Sequence, residues 1–264
     1  MLELHNISAA YHNRYILEDI SLRIRKKEFT GIIGPNGAGK TTLLKIMTGI
    51  KSPEKGQVRL NGKNINHLTK KQIAKIMAVV PQSSFIPPLF TVEDVVSMGR
   101  YPFRQFRLTD TEHDTACVDA AIEKTGIQSF RSRMICELSG GQRQEVIIAR
   151  ALAQTPRVFV LDEPTANLDI KHQMKILCLA AALVRDDGLA AVMVIHDLNL
   201  AARFCDRLIL LHDRKIMAMG PPEKVLTPDN LEMAYDVSTR VCRNCFTNAL
   251  EVVILDQSFE ERFL

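Results

Sequence analysis

The segment Gly34-Pro-Asn-Gly-Ala-Gly-Lys-Thr41 decides how this chain folds. It fits the pattern G-x-x-x-x-G-K-[ST], in which a glycine-rich loop opens a helix. Gly34, Asn36, Gly37, Ala38 and Gly39 let backbone N–H groups wrap a chain of phosphates at the N-terminus of that helix. Lys40 reaches the β- and γ-phosphates, Thr41 offers its hydroxyl to Mg2+, and Thr42 stands beside it for an α-phosphate contact. On its own the pattern implies a nucleotide and no more.

The apolar run Phe29–Ile33 leads into this loop, and three further runs have the same form, a short continuous apolar block closed by a polar residue. Met77–Val80 leads to Gln82, Val158–Leu161 to Asp162 and Glu163, and Ala191–Ile195 to His196. Blocks of this kind suit strands buried on both faces of a parallel sheet, and open α/β sheets bind ligands beyond the carboxyl ends of their strands. All four polar endings are therefore expected to converge on one nucleotide. Near the N-terminus Leu2, Leu4 and Ile7, then Leu17, Ile20, Leu22 and Ile24, alternate as antiparallel strands do, and Val58-Arg-Leu-Asn-Gly62 carries the Asn-Gly signal of a tight hairpin. Between Gln82 and Val158 the composition turns helical, with Asp110–Thr125 and Gln142–Ala153 as the clearest helices. After His196 the pattern predicts a helix, a hairpin of Arg207–Leu211 and Lys215–Met219, and a short helical tail from Pro222.

A second glycine loop, Leu138-Ser-Gly-Gly-Gln142, precedes the block that ends in Asp162 and Glu163. Ser139 and Gln142 form the capping-box pattern S-x-x-Q, so a helix begins there, and its N-terminus with two glycines is a second anion site. Asp162 stands where a magnesium ligand belongs, and Glu163 can take the proton of an attacking water. An isolated Gln or His is usually no more than a hydrogen-bonded polar residue, and an Asp-Glu-Pro turn can simply cap the next helix. Their occurrence in this order after buried strands is what gives them weight.

Taken together, these segments resemble the ATP-binding-cassette (ABC) family over nearly the whole chain. The resemblance implies an α/β fold, an ABC-type P-loop nucleotide-binding domain with an antiparallel β layer and an inserted helical subdomain. Residues 1–82 and 154–240 would form the core with its β layer, 83–153 the helical subdomain, and 241–264 a C-terminal tail. It also implies hydrolysis of ATP with Mg2+. Glu163 would be the general base, Gln82 would contact the metal or the attacking water, and His196 would contact the γ-phosphate. Ser139, Gly140, Gly141 and Gln142 would engage the γ-phosphate held by a second copy of the chain, and Asp169 would cross the interface of that homodimer. Tyr11 is placed like the family's adenine-stacking aromatic, with His12 and Tyr15 as alternatives. Many relatives carry a basic residue where this chain has Glu145, a change that bears on a local ion pair.

Thr91-Val-Glu-Asp-Val-Val-Ser-Met-Gly-Arg-Tyr-Pro102 and Leu168-Asp-Ile-Lys-His-Gln173 resemble the importer ATPases for iron–siderophore complexes, haem and cobalamin. That implies two integral-membrane permease subunits as partners and, indirectly, an extracytoplasmic solute-binding protein. Val95, Val96 and Met98 with Tyr101 and Phe103 are expected to form much of a groove for a permease helix, with Arg100 or Tyr101 as an exposed member. The alternatives are a soluble ABC ATPase that moves no solute, such as the iron–sulfur assembly type, or the ATPase of another metal-ion importer.

Composition fits this reading. The 264 residues can bury one large core, and a net charge of +4 from 34 basic and 30 acidic residues gives no electrostatic footprint for nucleic acid. No apolar stretch approaches the ~20 residues needed to cross a bilayer. Met1-Leu-Glu-Leu-His-Asn6 lacks the features of a secretory signal, which predicts a peripheral protein on the cytoplasmic face of the cell membrane. Of six cysteines only Cys242 and Cys245 have metal-like spacing, and two thiols alone do not make a metal site, so reduced cytosolic thiols are expected.

Overall fold

The computed structural model of the chain describes residues 1–12, 14–82, 86, 88–104 and 111–255. Positions 13, 83–85, 87, 105–110 and 256–264, which include Asp110 and the end of the expected tail, lie outside the described residues.

Two sheets organise the molecule. The first is antiparallel, with Arg14–Ile24, Leu2–Tyr11, Lys55–Leu60 and Lys63–Asn64 in that spatial order. Leu2 and Leu4 point into the core while Glu3 and His5 lie towards solvent, the period-two pattern of a half-buried strand. Leu60 pairs with Lys63 across Asn61 and Gly62, both at positive φ, so the Asn-Gly signal folds as a two-residue hairpin turn.

The second sheet has the order Lys215–Gly220, Arg207–His212, Phe29–Ile33, Ala190–Val194, Val158–Asp162, Met77–Val80. Every neighbouring pair is parallel except the outer hairpin. The four apolar blocks are thus adjacent strands, and Arg207–His212 joins them as a fifth, beyond the simple hairpin arm expected from its sequence. Alternate residues feed two cores. Val158, Val160, Val192 and Val194 pack with Leu43 and Met47 of the helix Lys40–Met47 beneath the antiparallel layer. Phe159, Leu161, Ala191 and Met193 share the opposite core with the helices Gly140–Ala153 and Ile170–Asp186. Burial on both faces is why these strands read as continuous apolar runs.

Between Val80 and Val158 the chain builds a helical insert from Val92–Ser97, Glu112–Thr125 and Gly140–Ala153. Thr91, Thr111 and Ser139 each cap their helix in a capping box, which fixes where each begins. One expectation is corrected here. Arg100 is 1% exposed, ion-paired to Asp114 and bonded to Ala153 O, whereas its neighbour Tyr101 is 74% exposed. Val95 and Val96 are likewise core residues. After the short helices Pro222–Val225 and Pro228–Tyr235 the chain forms a two-stranded hairpin, Thr239–Arg243 with Leu250–Ile254, which the sequence pattern did not indicate.

Candidate active site

The loop Gly34–Gly39 leaves the carboxyl end of a central strand under tight steric limits. Gly34 has φ +147°, and a Cβ there would lie 2.3 Å from Leu211 O, so only glycine fits. Gly39 enters the helix in the left-handed region, and no side chain caps that helix, which leaves its first-turn N–H groups open to an anion. Lys40 Nζ folds back over the loop and donates to Gly34 O at 2.8 Å and Pro35 O at 2.9 Å. Burial pushes the Lys40 ammonium below its ordinary value, and the nearby Glu163 and Asp162 carboxylates oppose that shift. Thr41 and Thr42 follow in the first turn.

Asp162 closes its strand, and Glu163 takes up a positive φ of 49°, an uncommon conformation for a residue with a side chain. That turn lets both carboxylates face the loop although successive strand residues point opposite ways. Gln82 Nε2 donates to Glu163 Oε2 at 2.7 Å, and His196 Nε2 lies 2.7 Å from Glu163 Oε1. Three strand ends thereby meet on one carboxylate. Asp162 Oδ1 is buried without a hydrogen-bond partner, and burial, followed by the adjacent Glu163, pushes its carboxyl above the usual range. An orphaned carboxylate oxygen is a hard donor, and with the Thr41 hydroxyl and the Gln82 side-chain carbonyl, the partners expected from the sequence, it would make an all-oxygen set that suits a hard divalent cation such as Mg2+.

Ser139, Gly140, Gly141, Gln142 and Asp169 form a second group. Ser139 Oγ accepts from Gln142 N at 3.2 Å, and Gln142 Oε1 accepts from Ser139 N at 3.0 Å. A Cβ on Gly141 would sit 2.5 Å from His172 Cδ2, and His172 Nδ1 in turn lies 2.7 Å from Asp169 Oδ1. His172 thus joins the glycine loop to the cap of the helix Ile170–Asp186. Gly140 has nothing within 4 Å of where a Cβ would stand. Among the described residues no side-chain hydrogen bond or ion pair connects Ser139, Gln142 or Asp169 to Lys40, Glu163 or His196. Glu145, buried one turn further along, pairs with Lys175 at 2.9 Å.

The aromatic candidates separate. Lys51 Nζ lies 4.6 Å from the centroid of the Tyr11 ring. Tyr15, with Arg14, Asn36, Gly37, His212 and Arg214, instead lines a cleft of about 700 Å³ beside the phosphate loop. His212 Nδ1 is buried without a partner. The strand-end rule that singled out Gln82, Glu163 and His196 applies equally to His212, the last residue of its strand. His172 had a weaker signal, an aspartate three residues before it at a helix start.

Among the described residues no helix is long and apolar enough to cross a membrane, and no group of His, Cys, Asp and Glu could by itself hold a metal ion. The sequence profile described as ABC transporter matches residues 17–166. The chain is 43% identical over 240 residues to the cobalamin import ATP-binding protein BtuD of Halobacterium salinarum, covering 91% of this chain. It spans 60% of the length of that relative. It is 40% identical over 247 residues to the iron(3+)-hydroxamate import ATP-binding protein FhuC of Bacillus subtilis, covering 94% of this chain and 92% of the relative. A solved metal-chelate type ABC transporter, inward-facing, matches with a TM-score of 0.85 at 25% identity, covering 98% of each chain.

Proposed function

The chain belongs to the ABC transporter family, and from that premise we propose that it binds and hydrolyses ATP as the homodimeric motor of an importer. It sits on the cytoplasmic face of the cell membrane and drives uptake of an iron chelate such as a siderophore, of haem or of cobalamin through two permease subunits. A solute-binding protein delivers the cargo on the other side. The cargo class is supported by the cobalamin and iron-hydroxamate importer relatives. One observation carries the chemistry: Gln82 and His196 each hold an oxygen of Glu163 at 2.7 Å beside the Lys40 loop.

Mg2+, when bound, neutralises charge on the β- and γ-phosphates, and Asp162, Thr41 and Gln82 are the residues that would hold it. Lys40, whose Nζ donates to Gly34 O and Pro35 O of the loop, would meet the same phosphates. Each oxygen of Glu163 retains a second lone pair, and one of them accepts the proton of the attacking water. Gln82 and His196 fix the plane of that carboxylate, and His196 reaches the γ-phosphate. Ser139, Gly140, Gly141 and Gln142 of one copy close over the nucleotide of the other, consistent with a glycine loop that is open and not joined to the Lys40 group of its own chain. The base of the nucleotide rests in the cleft that Tyr15 lines beside the phosphate loop.

The permease reading has its own support. Tyr101 and Met98 are exposed, and so are Leu89, Phe90 and Met134, which the bond from Ile135 N to Phe90 O brings together on the same insert. Such a set of exposed apolar groups marks an interaction surface. Replacing Glu163 by Gln tests the catalytic reading: ATP binding should persist while turnover falls by about 10²- to 10⁴-fold, the usual worth of a general base. Phosphate release at the wild-type rate would remove Glu163 from that role.

A further inference from the structure

The C-terminal hairpin is fastened to the helix that follows His196. Asp197 caps the helix Leu198–Phe204, its Oδ1 accepting from Asn199 N at 2.8 Å and Leu200 N at 2.9 Å. His196 therefore stands in a three-residue link, Ile195, His196 and Asp197, between the end of a central strand at Val194 and the start of this helix, and the placement of the helix sets the placement of the imidazole. The second strand of the hairpin, Leu250–Ile254, is the element most closely packed on that helix.

The fastening is specific. Asn244 N donates to Ala249 O at one end of the hairpin and Leu255 N to Ser238 O at the other, so the antiparallel alternation leaves the N–H and C=O of Val252 facing away from the partner strand. Such edge groups need partners when buried, and Val252 is buried. Asn199 supplies both: its Oδ1 accepts from Val252 N at 2.7 Å, and its Nδ2 donates to Val252 O at 3.3 Å. One side-chain amide stands in for a third strand.

We propose that Asn199 is a positioning residue for His196, holding the helix Leu198–Phe204 to the C-terminal hairpin so that the imidazole stays against Glu163. The proposal rests on the catalytic reading of Glu163 and His196 given above. An apolar or shortened side chain at 199 frees two backbone groups of Val252 and releases the helix from the hairpin, and the 2.7 Å contact between His196 and Glu163 is then no longer enforced.

The test uses the full chain with Asn199→Ala and the milder Asn199→Asp, which keeps the bond from Val252 N and suits the first turn of a helix. In the nucleotide-free protein the His196 ring ¹H–¹⁵N signals, assigned through His196→Ala, should shift in Asn199→Ala and shift less in Asn199→Asp. In turnover with Mg-ATP, kcat should fall about tenfold or more in Asn199→Ala with KM for ATP changed less than twofold. Should Asn199→Ala not fold, Asn199→Asp carries the same comparison at smaller amplitude. Unchanged His196 signals in a folded variant overturn the proposal whatever happens to melting temperature or rate, as does an unchanged kcat. A wild-type protein without turnover would instead refute the catalytic reading, and the ring signals alone would then decide whether Asn199 places His196.

Discussion

Arg100 and Asp114 meet at 2.8 Å inside the helical insert, both almost wholly withdrawn from solvent. Arg100 also donates to Ala153 O at 2.7 Å, the last carbonyl of the helix whose first residues carry the second glycine loop, and its guanidinium lies 3.9 Å from the Phe103 ring centroid. Burial would raise the Asp114 carboxyl, but the bonds from Arg100 and Thr111 outweigh it and hold the group below its ordinary range. The exposed Tyr101 is thus mounted on a buried charge that is tied to two other helices of the insert.

Breaking that pair from one side strands a charge. Arg100→Met should destabilise the chain by about 3 kcal/mol or more in urea titration, and adding Asp114→Leu should recover much of the loss because both charges are then gone. Equal destabilisation by the single and double variants would mean that packing of the Arg100 stem, and not the ion pair, sets the cost. Tyr101→Glu, by contrast, should leave the melting curve within about 0.5 kcal/mol of wild type while disrupting transport, since the ring touches solvent.

Asp162 carries the opposite sign. Its folded-state carboxyl lies above the ordinary 3.8, so the folded chain retains this proton to higher pH than the unfolded chain does. The associated stability is fully present below 3.8 and is lost as pH rises through the raised value. Asp162→Asn should therefore melt higher than wild type at neutral pH in the absence of nucleotide, by up to about 1 kcal/mol because the group is only partly buried and water screens it, and its stability should be flatter over that acid window. Mg-ATP should reverse the ranking, because only the carboxylate gains from the cation. Thermal melts with and without Mg-ATP across pH 4–8 read both effects.

Much of this was visible before any coordinates. Continuous apolar blocks ending in Gln82, Glu163 and His196 had to be strands buried on both sides, and strand ends of a parallel sheet share one edge, so the meeting of these residues followed from pattern. The capping box at Ser139 was equally local. What escaped depended on partners distant in sequence. Arg100 reads as a surface charge until Asp114 and Ala153 are known to surround it. The hairpin Thr239–Arg243 with Leu250–Ile254 has charged residues on its first strand and no tight-turn dipeptide, and its open edge is satisfied by Asn199, far back in the chain. Tyr11 and Tyr15 differ by four positions in adjoining strands, and only tertiary placement puts one under Lys51 and the other in the cleft.

The cysteines offer a simple check on the core. Cys205 is buried, its thiol is pushed up chiefly by burial and further by Asp206, and a Cβ on Gly31 would lie 2.8 Å from its Sγ. Cys136, Cys178, Cys242 and Cys245 are exposed and Cys117 is half-buried, all as free thiols. An aromatic disulfide reagent should modify the exposed thiols in the native protein and leave Cys205 untouched, with all six reacting in denaturant. Rapid native labelling of Cys205, located by peptide mapping, would show that the packing between the strand Phe29–Ile33 and the segment at Cys205 opens readily.

The proposed sharing of each nucleotide between the Lys40 loop of one copy and the Ser139 loop of the other predicts complementation between chains. Lys40→Ala removes the ammonium aimed at the phosphates and should weaken nucleotide binding. Ser139→Arg places a large cation on the open loop beside Gly140 and should spare binding by a single chain while abolishing turnover. If, as proposed, each site takes Lys40 from one copy and Ser139 from its partner, then in a dimer of the two variants one composite site contains both defects and the other contains neither. An equimolar mixture with random pairing should then recover roughly a quarter of wild-type turnover although each variant alone is inactive, because half the dimers are mixed and each has one intact site. A mixture that stays inactive while mass measurement shows mixed dimers would rule out two independently working sites shared between chains. Recovery of activity would place Ser139 opposite Lys40 of the second copy, and the amount recovered would report how far one site works without the other.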